Sequence, residues 1–565
     1  MHVILAALSL TLANVPKPLV IDDPTYVSLA RQIATDPGDP YGIDIEWSNG
    51  VEPAYRVVGA NPVLPYWIAG SMALFGDEPW RWKLALFPFA LALAASLHRL
   101  LARFAAGLEV PLLWMAVLSP PILPFVNLML DVPAVALALL ALVLFLASCD
   151  RDRIAGVVGA GVVAGIAMQT KYTAATSLAA MLVWGALFGR WRKAVLACAT
   201  GVAVFAGWEG WMALRYAESP FVHGVLFLQR GPAGFSPGVA LLWTLGFLLL
   251  IGALAPAVGV LGLAALGASR RVVAAATLAC GLGFAAIPFL PAFETPQGDP
   301  WPRLAGAAPE QLLFLILGLG TAASVLAVVR TRLAARAEPA DVFLVCWLAL
   351  EIAGFAALSP FLAARRVVGV SLVALLLCGR AASRSPRPVA VGLPVAAGVA
   401  LALVFAASDL ADALAVRDSV AVAERELQQL GAEPGRESVW FAGGWGFAFH
   451  AQRAGMRPVV SGRSQLRRGD WLVTAQGISF LPLRLPGAPI PIARADVRSA
   501  SPWSTHPGAY LGPLALRPRA QAIIRLWFYR VQADFVPELD TRGAARPPRP
   551  DLDRYAGRVG RAALP

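Results

Sequence analysis

Thirteen apolar blocks, near residues 2–16, 82–101, 110–126, 131–148, 154–170, 173–189, 194–213, 238–267, 271–290, 310–329, 341–358, 362–379 and 388–407, decide what this chain can fold into. Most are about 17–25 residues long, the length a helix needs to cross the hydrocarbon core of a bilayer. Charged residues make up 15% of the chain and hydrophobic residues 58%, against about 25% and 45–50% in soluble domains. That excludes an ordinary cytosolic enzyme, and so much apolar surface excludes a disordered chain. The expected fold is an all-α polytopic membrane protein with about thirteen transmembrane helices.

The positions of the charges orient it. With Met1 inside, the alternate loops HRLLAR (98–103), RDR (151–153), RWRK (190–193), SRR (269–271), RTRLAAR (330–336) and RAASRSPR (380–387) are all basic. Cytoplasmic loops carry such an excess of Lys and Arg. The opposite loops are poor in basic residues, and the largest, 17–80, holds nine Asp/Glu and three Lys/Arg. The net charge of +12 is thus topogenic and does not point to nucleic acid. The first apolar stretch has neither a basic leader nor a cleavage site and is expected to stay as a helix. The five cysteines all lie in or beside apolar blocks, so no disulfide framework or CxxC metal site is expected.

Thirteen crossings leave residues 408–565 outside, as a second domain after the membrane module 1–407. Residues 408–430 have an amphipathic helical period, SVWFAG, DWLVTA and AIIRLWFYRVQ read as strands, and GFAFHAQRAG reads as a helix between the first two. This alternation predicts a small C-terminal α/β extracytoplasmic domain. The Arg/Pro-rich end, TRGAARPPRPDLDRYAGRVGRAALP, predicts an irregular tail. No internal repeat is visible.

Under this topology the unusual polar residues fall on the outer face. Asp22 and Asp23 follow the first crossing, Asp131 opens the fourth, Lys171 sits between the fifth and sixth, and Arg365 and Arg366 stand at the outer end of the twelfth. Each has a plain structural role open to it. Asp22, Asp23 and Asp131 can cap helices, with Pro24 at a first turn; Lys171 can snorkel; the arginines can meet lipid headgroups. Together they suggest one site, because ionisable groups at membrane depth are costly and gather where they are used. A carboxylate there can take a proton from an acceptor hydroxyl. Cations there can stabilise the phosphate charge that grows as a sugar–phosphate bond breaks. A lipid-phosphate sugar donor fits a membrane-interface site of this kind, and attack from the face opposite the phosphate inverts the anomeric centre.

These same segments resemble the GT-C membrane glycosyltransferases, in particular glycosyltransferase family 39, the group of protein O-mannosyltransferases and lipid A aminoarabinose transferases. The resemblance rests on Asp22, Asp23 and Tyr26 in the first outer loop, on NPVLPYWIAGSMALFG (61–76), on LMLDVPAVALALLALVLFL, on GIAMQTKYT and on AARRVV. It extends to VWFAGGWGFAFHAQRAGMRPV and LRRGDWLV in the tail. It implies Asp22 as the base, Asp23 and Asp131 as supporting acids that orient the acceptor or hold a divalent cation, and Lys171 with Arg365 or Arg366 on the carrier phosphate. Tyr26, Asn61 and Tyr172 fall beside them as donor-binding residues. The sequence departs from the family where the second acid is Asp23 in place of Glu, where Asn61-Pro62-Val63 replaces a Pro-Pro element, where Thr25 replaces a basic residue and where Arg366 replaces a late Tyr.

The implied partners are a polyprenyl-phosphate sugar, an acceptor that is lipid, glycan or protein, and the bilayer, in a bacterial cytoplasmic (inner) membrane. The alternatives are a transporter or flippase of a lipid-linked sugar and a non-catalytic assembly factor. Trp440, Trp445, Phe447 and Phe449 read as core of the outer domain ahead of a sugar platform. His450 and His223 have no partner at ligand spacing, so neither is assigned to a metal.

Overall fold

The computed structural model describes residues 1–47, 50–57, 61–222, 237–290, 309–334, 338–359, 361–432, 438–476, 483–484, 491–506, 508–519 and 522–539. The irregular tail expected after residue 540 and His223 lie outside the described residues. Within them, seven helices are long and apolar enough to cross a membrane, and an eighth span is formed if a bent pair is counted once. Five further apolar helices have 10–17 residues: His2–Asn14, Val63–Phe75, Ile154–Thr170, Tyr172–Leu187 and Val368–Ser383.

Proline accounts for two departures from thirteen uniform blocks. The block 110–126 becomes a nine-residue helix, Glu109–Val117, and a separate turn, Leu123–Phe125. Pro120, Pro121 and Pro124 cannot donate to a helical ladder and push the residues before them out of helical geometry. The block 238–267 becomes Pro237–Leu254 and Pro256–Ala265, bent by 78° at Ala255, the residue ahead of Pro256. Helix Val63–Phe75 lies within NPVLPYWIAGSMALFG, where the resemblance implies an aromatic helix after a Pro-rich stretch, and packs against Asp23–Thr35.

Small residues let the helices close on one another, as expected where lipid supplies no hydrophobic drive between them. Helices Pro237–Leu254 and Pro309–Ala334 meet backbone to backbone. A Cβ on Gly252 would lie 1.8 Å from the Phe314 carbonyl oxygen, and one on Gly318 would lie 2.0 Å from that of Leu248. At the far end of Val368–Ser383 from Arg365, buried Asp341 is held by Arg332 (2.8 Å) and Arg380 (2.8 Å), and Glu338 pairs with Arg380 and Arg384 (both 2.6 Å). This network ties three helices together at that face.

Helix Gly392–Gln429 runs unbroken for 38 residues, about 57 Å at 1.5 Å per residue. That is nearly twice the hydrocarbon thickness of about 30 Å, so it carries the chain from the apolar bundle into a separate β-rich domain. Its later turns bury Val416, Val420, Ala423 and Leu427 against a five-stranded sheet. The strands are β1 (Val439–Ala442), β2 (Arg457–Pro458), β3 (Trp471–Gln476), β4 (Ala493–Val497) and β5 (Ile524–Arg530), in the order β2-β1-β3-β5-β4. β1 is parallel to β2 and β3, and the other pairs are antiparallel, with Val473 opposite Phe528 and Leu526 opposite Ala495. Alternation sends Trp471, Val473, Ala475, Leu526 and Phe528 to the buried face. The three expected strands and the expected helix, Trp445–Arg453, are all present. Phe447 is buried in this domain's core, Phe449 is buried instead against the helical bundle, and half-buried Trp440 donates its indole N–H to Asp470 at 2.9 Å.

Candidate active site

Three short turns and one break between helices, at one end of the bundle, present the charged residues. The first lies between helices His2–Asn14 and Asp23–Thr35. Ile21 adopts φ 49° there, a left-handed conformation that a β-branched side chain rarely takes and that costs about 1–3 kcal/mol. The kink sends the two adjacent acids in opposite directions. Asp22 stands at the N-cap position but makes no capping bond; its carboxylate accepts from Arg365 Nη2 at 2.9 Å. Asp23 is fully buried on the other side, where Oδ2 accepts the Val20 N–H at 3.1 Å.

The second turn precedes helix Asp131–Asp150. Asp131 likewise caps nothing. It is 3% exposed and binds Lys171 Nζ through Oδ1 and Arg365 Nη1 (3.3 Å) through Oδ2. Lys171 takes extended backbone angles at the break after helix Ile154–Thr170, which swings its side chain to Asp131. The third turn, Ala364–Arg366, leads into Val368–Ser383 and supplies both arginines. Arg365 is buried between the two acids, and Arg366 lies over the Phe361 ring at 4.1 Å. Among the described residues no acceptor meets Arg366, and its Nε is buried without a partner.

Asp22, Asp131, Lys171 and Arg365 therefore form one ion-paired cluster with Arg366 at its edge, two negative charges against three positive. Tyr26 is buried within the field of Asp22, Arg365 and Asp131. The other sequence candidates go elsewhere. Tyr172 turns its hydroxyl to Glu209 (3.4 Å) and packs its ring against Phe205 and Phe221. Asn61 makes no bond to the cluster among the described residues, and its Oδ1 is buried unpaired. Because the Asp22 and Asp23 carboxylates face different partners, the pair does not fit a shared divalent cation. Among the described residues no group of three or more His, Cys, Asp or Glu side chains is arranged to hold a metal ion.

The cluster closes one end of a cleft holding about 790 Å³ of atom-free space, its open mouth included. Asp131, Lys171, Arg365 and Arg366 line the charged end, and Leu139, Leu142, Leu372, Val373 and Phe355 line an apolar trough between the helices. Glu351 lies in that trough with Oε1 accepting from the Trp347 indole at 3.0 Å. It was passed over in sequence, although a lone acid inside an apolar block (LALEIAGF) is a signal in its own right. Gly369 leaves room for it, since a Cβ there would lie 2.1 Å from Glu351 Oε2. Such a cleft suits a ligand with an anionic head and a long apolar tail.

Residues 59–211, which carry Asp131 and Lys171 but neither Asp22 nor Arg365, match the family model described as dolichyl-phosphate-mannose-protein mannosyltransferase. No curated protein sequence matches the chain. Among solved structures, the chain is similar to ArnT from Cupriavidus metallidurans in the apo state, at 13% identity and a TM-score of 0.35, over 84% of this chain and 92% of that one. The same protein bound to undecaprenyl phosphate matches at 15% identity and a TM-score of 0.35 over the same shares. The oligosaccharyltransferase of Archaeoglobus fulgidus, in complex with Zn and sulfate, matches at 13% identity and a TM-score of 0.45, over 84% of this chain and 68% of that one.

Proposed function

We propose that the protein is a GT-C-type membrane glycosyltransferase, similar to family 39, that moves one sugar from a polyprenyl-phosphate donor to an acceptor hydroxyl outside the cytoplasmic membrane. The observation that carries this reading is the cleft, where Asp131, Lys171, Arg365 and Arg366 line the head of an apolar trough and Asp22 adjoins them through its pair with Arg365. The match of residues 59–211 to a family named for a dolichyl-phosphate-mannose-dependent transferase supports it. In this reading the thirteen-crossing topology, N-terminus inside, puts the cluster and the C-terminal domain on the outer side of a bacterial inner membrane.

The division of labour follows from the contacts. The isoprenoid tail lies in the trough of Leu139, Leu142, Leu372 and Val373. The phosphate takes Arg366, which has no acidic partner among the described residues, and shares Lys171 and Arg365 with Asp131. Arg365 then gives up Asp22, the more exposed of its two acids at 19% against 3%. Freed of its guanidinium, Asp22 takes the proton of the acceptor hydroxyl as that oxygen attacks the anomeric carbon. The sugar–phosphate bond breaks on the opposite face, which inverts the centre, and the cations hold the charge left on the phosphate. Asp131 keeps Lys171 and Arg365 aimed, and Asp23 secures the turn without touching the reacting atoms.

The test is transfer by the purified protein from a polyprenyl-phosphate-linked sugar to envelope glycans or lipids, read by mass spectrometry as a hexose or pentose increment. Donor turnover by Asp22→Asn at the wild-type rate would remove Asp22 from the role of base. One pair of features favours the transporter alternative, namely the 78° break at Ala255 and Glu351 inside a helix. Movement of a lipid-linked sugar across proteoliposomes without its transfer would decide for that reading.

A further inference from the structure

The turn that presents Asp22 is strained at Ile21, and the structure shows what holds it. Lys17 is 4% exposed, and each of its three N–H donors has a partner: the Asp409 carboxylate, the Tyr510 hydroxyl at 2.8 Å and the Pro124 carbonyl at 3.1 Å. Its own carbonyl accepts from buried Lys83. Asp409 is completed by Tyr510 (2.9 Å) and His506 Nε2 (3.1 Å), all of them buried. Asn14 adds a bond to the Leu123 carbonyl at 2.7 Å.

These partners lie on the segments that carry the cleft's charges. Lys17 is five residues before Asp22, and Pro124 is seven before Asp131. Tyr510 belongs to the short helix Gly508–Leu511, which packs against the Arg365 turn. Asp409 anchors all three to helix Gly392–Gln429. The outer domain also presses on the turn itself, because a Cβ on Gly446 would lie 2.5 Å from the Leu19 carbonyl oxygen.

We propose that Lys17 is a positioning residue, whose buried ammonium joins the turns bearing Asp22, Asp131 and Arg365 and so sets the approach of Asp22 to the reacting oxygen. An ammonium suits this place because it offers three donors to three separate segments, and because a buried charge paired on every side fixes one geometry where an apolar contact would allow several. The kinetic part of this inference rests on the transferase reading; the structural part does not.

The test compares the full-length wild type with Lys17→Met and Lys17→Met/Asp409→Asn in lipid nanodiscs. The double variant removes the carboxylate that the single one leaves buried and unpaired, and so remains informative if the single variant does not fold. Backbone hydrogen exchange should rise about tenfold or more across residues 19–23 and 122–127 and stay at wild-type levels in β3. In the transfer assay kcat should fall about 10²-fold, as for a misplacement near 1 Å, with donor KM within about threefold of wild type. Wild-type exchange across both turns in both variants overturns the proposal, as does faster exchange spread over every helix, which makes Lys17 a residue of general stability. A wild-type protein that transfers no sugar overturns the transferase reading alone, and the exchange pattern then decides for or against the positioning role.

Discussion

Arg365 and Asp22 stand 343 positions apart in the chain and meet at 2.9 Å, Nη2 to Oδ2. The bond joins the first turn of the membrane module to one near its last helices, and it leaves the proposed base masked until an anion competes for the guanidinium. Asp22→Asn keeps the shape and loses the charge. Its transfer rate should fall by about 10²–10⁴, the contribution of a positioned general base, with little change in donor KM. Asp23→Asn still offers an oxygen to the Val20 N–H and should cost about tenfold or less. Steady-state kinetics of the two variants side by side check this, and equal losses would count against the division of roles between the acids.

Arg366 tests the phosphate assignment from the opposite direction. It has no acidic partner among the described residues, so Arg366→Ala leaves no carboxylate stranded. A lost hydrogen bond to a charged group is worth about 1.5–3 kcal/mol, which sets the expected rise in donor KM at about tenfold to a hundredfold, with thermal stability close to wild type. Arg365→Ala should behave differently, because it strands Asp22 and leaves Asp131 with Lys171 alone, and breaking a buried pair costs about 3–5 kcal/mol. A thermal-shift series on the two variants separates them.

The α-helical membrane character of the chain was legible in sequence because the length of an apolar helix follows from the bilayer itself. So was the charged cluster, because Asp131, Lys171 and Arg365 are conspicuous against apolar neighbours. The sequence could not show that Asp22 and Asp23 part company, since that depends on one strained residue, Ile21. Nor could it place Tyr172, whose hydroxyl finds Glu209 in a helix thirty-seven residues on. Lys17, Asp409 and His506 each look ordinary in their own segments. Only the packing of the outer domain on the bundle brings them together, and no local pattern encodes that.

The outer domain's grip on the first turn should depend on pH through His450. Its imidazole is buried beside the Leu19 carbonyl, and burial drives its pKa down from 6.5 to about 4 against the opposing pull of that carbonyl, with Arg417, Arg453 and Lys83 adding to the fall. Between these values the unfolded chain binds a proton that the folded one does not. Stability therefore rises with pH across that window and is lost as pH falls from about 6.5 towards 4, by at most about 3 kcal/mol. Exchange protection of residues 19–21 should be lower at pH 5 than at pH 7.5, and His450→Gln should flatten that difference. A dependence that survives the substitution would assign it to another group.

The trough yields the prediction that bears most directly on the donor's lipid. Gly369 lines the cleft and faces Glu351, and a Cβ there would fall 2.1 Å from Oε2. Gly369→Val must therefore push Glu351 aside or fill the trough, and either change narrows the space below the charged end. The cations keep their positions, so recognition of the phosphate survives while accommodation of the tail suffers. Each buried CH₂ is worth about 0.8 kcal/mol, so a tail displaced by two or three methylene groups loses roughly fifteen- to sixtyfold in affinity. The variant should bind a long polyprenyl phosphate more weakly by that factor and bind a short-chain analogue nearly as well as wild type. Titrating both ligands against both proteins gives the comparison, and an equal loss for the short ligand would put the tail somewhere other than this trough.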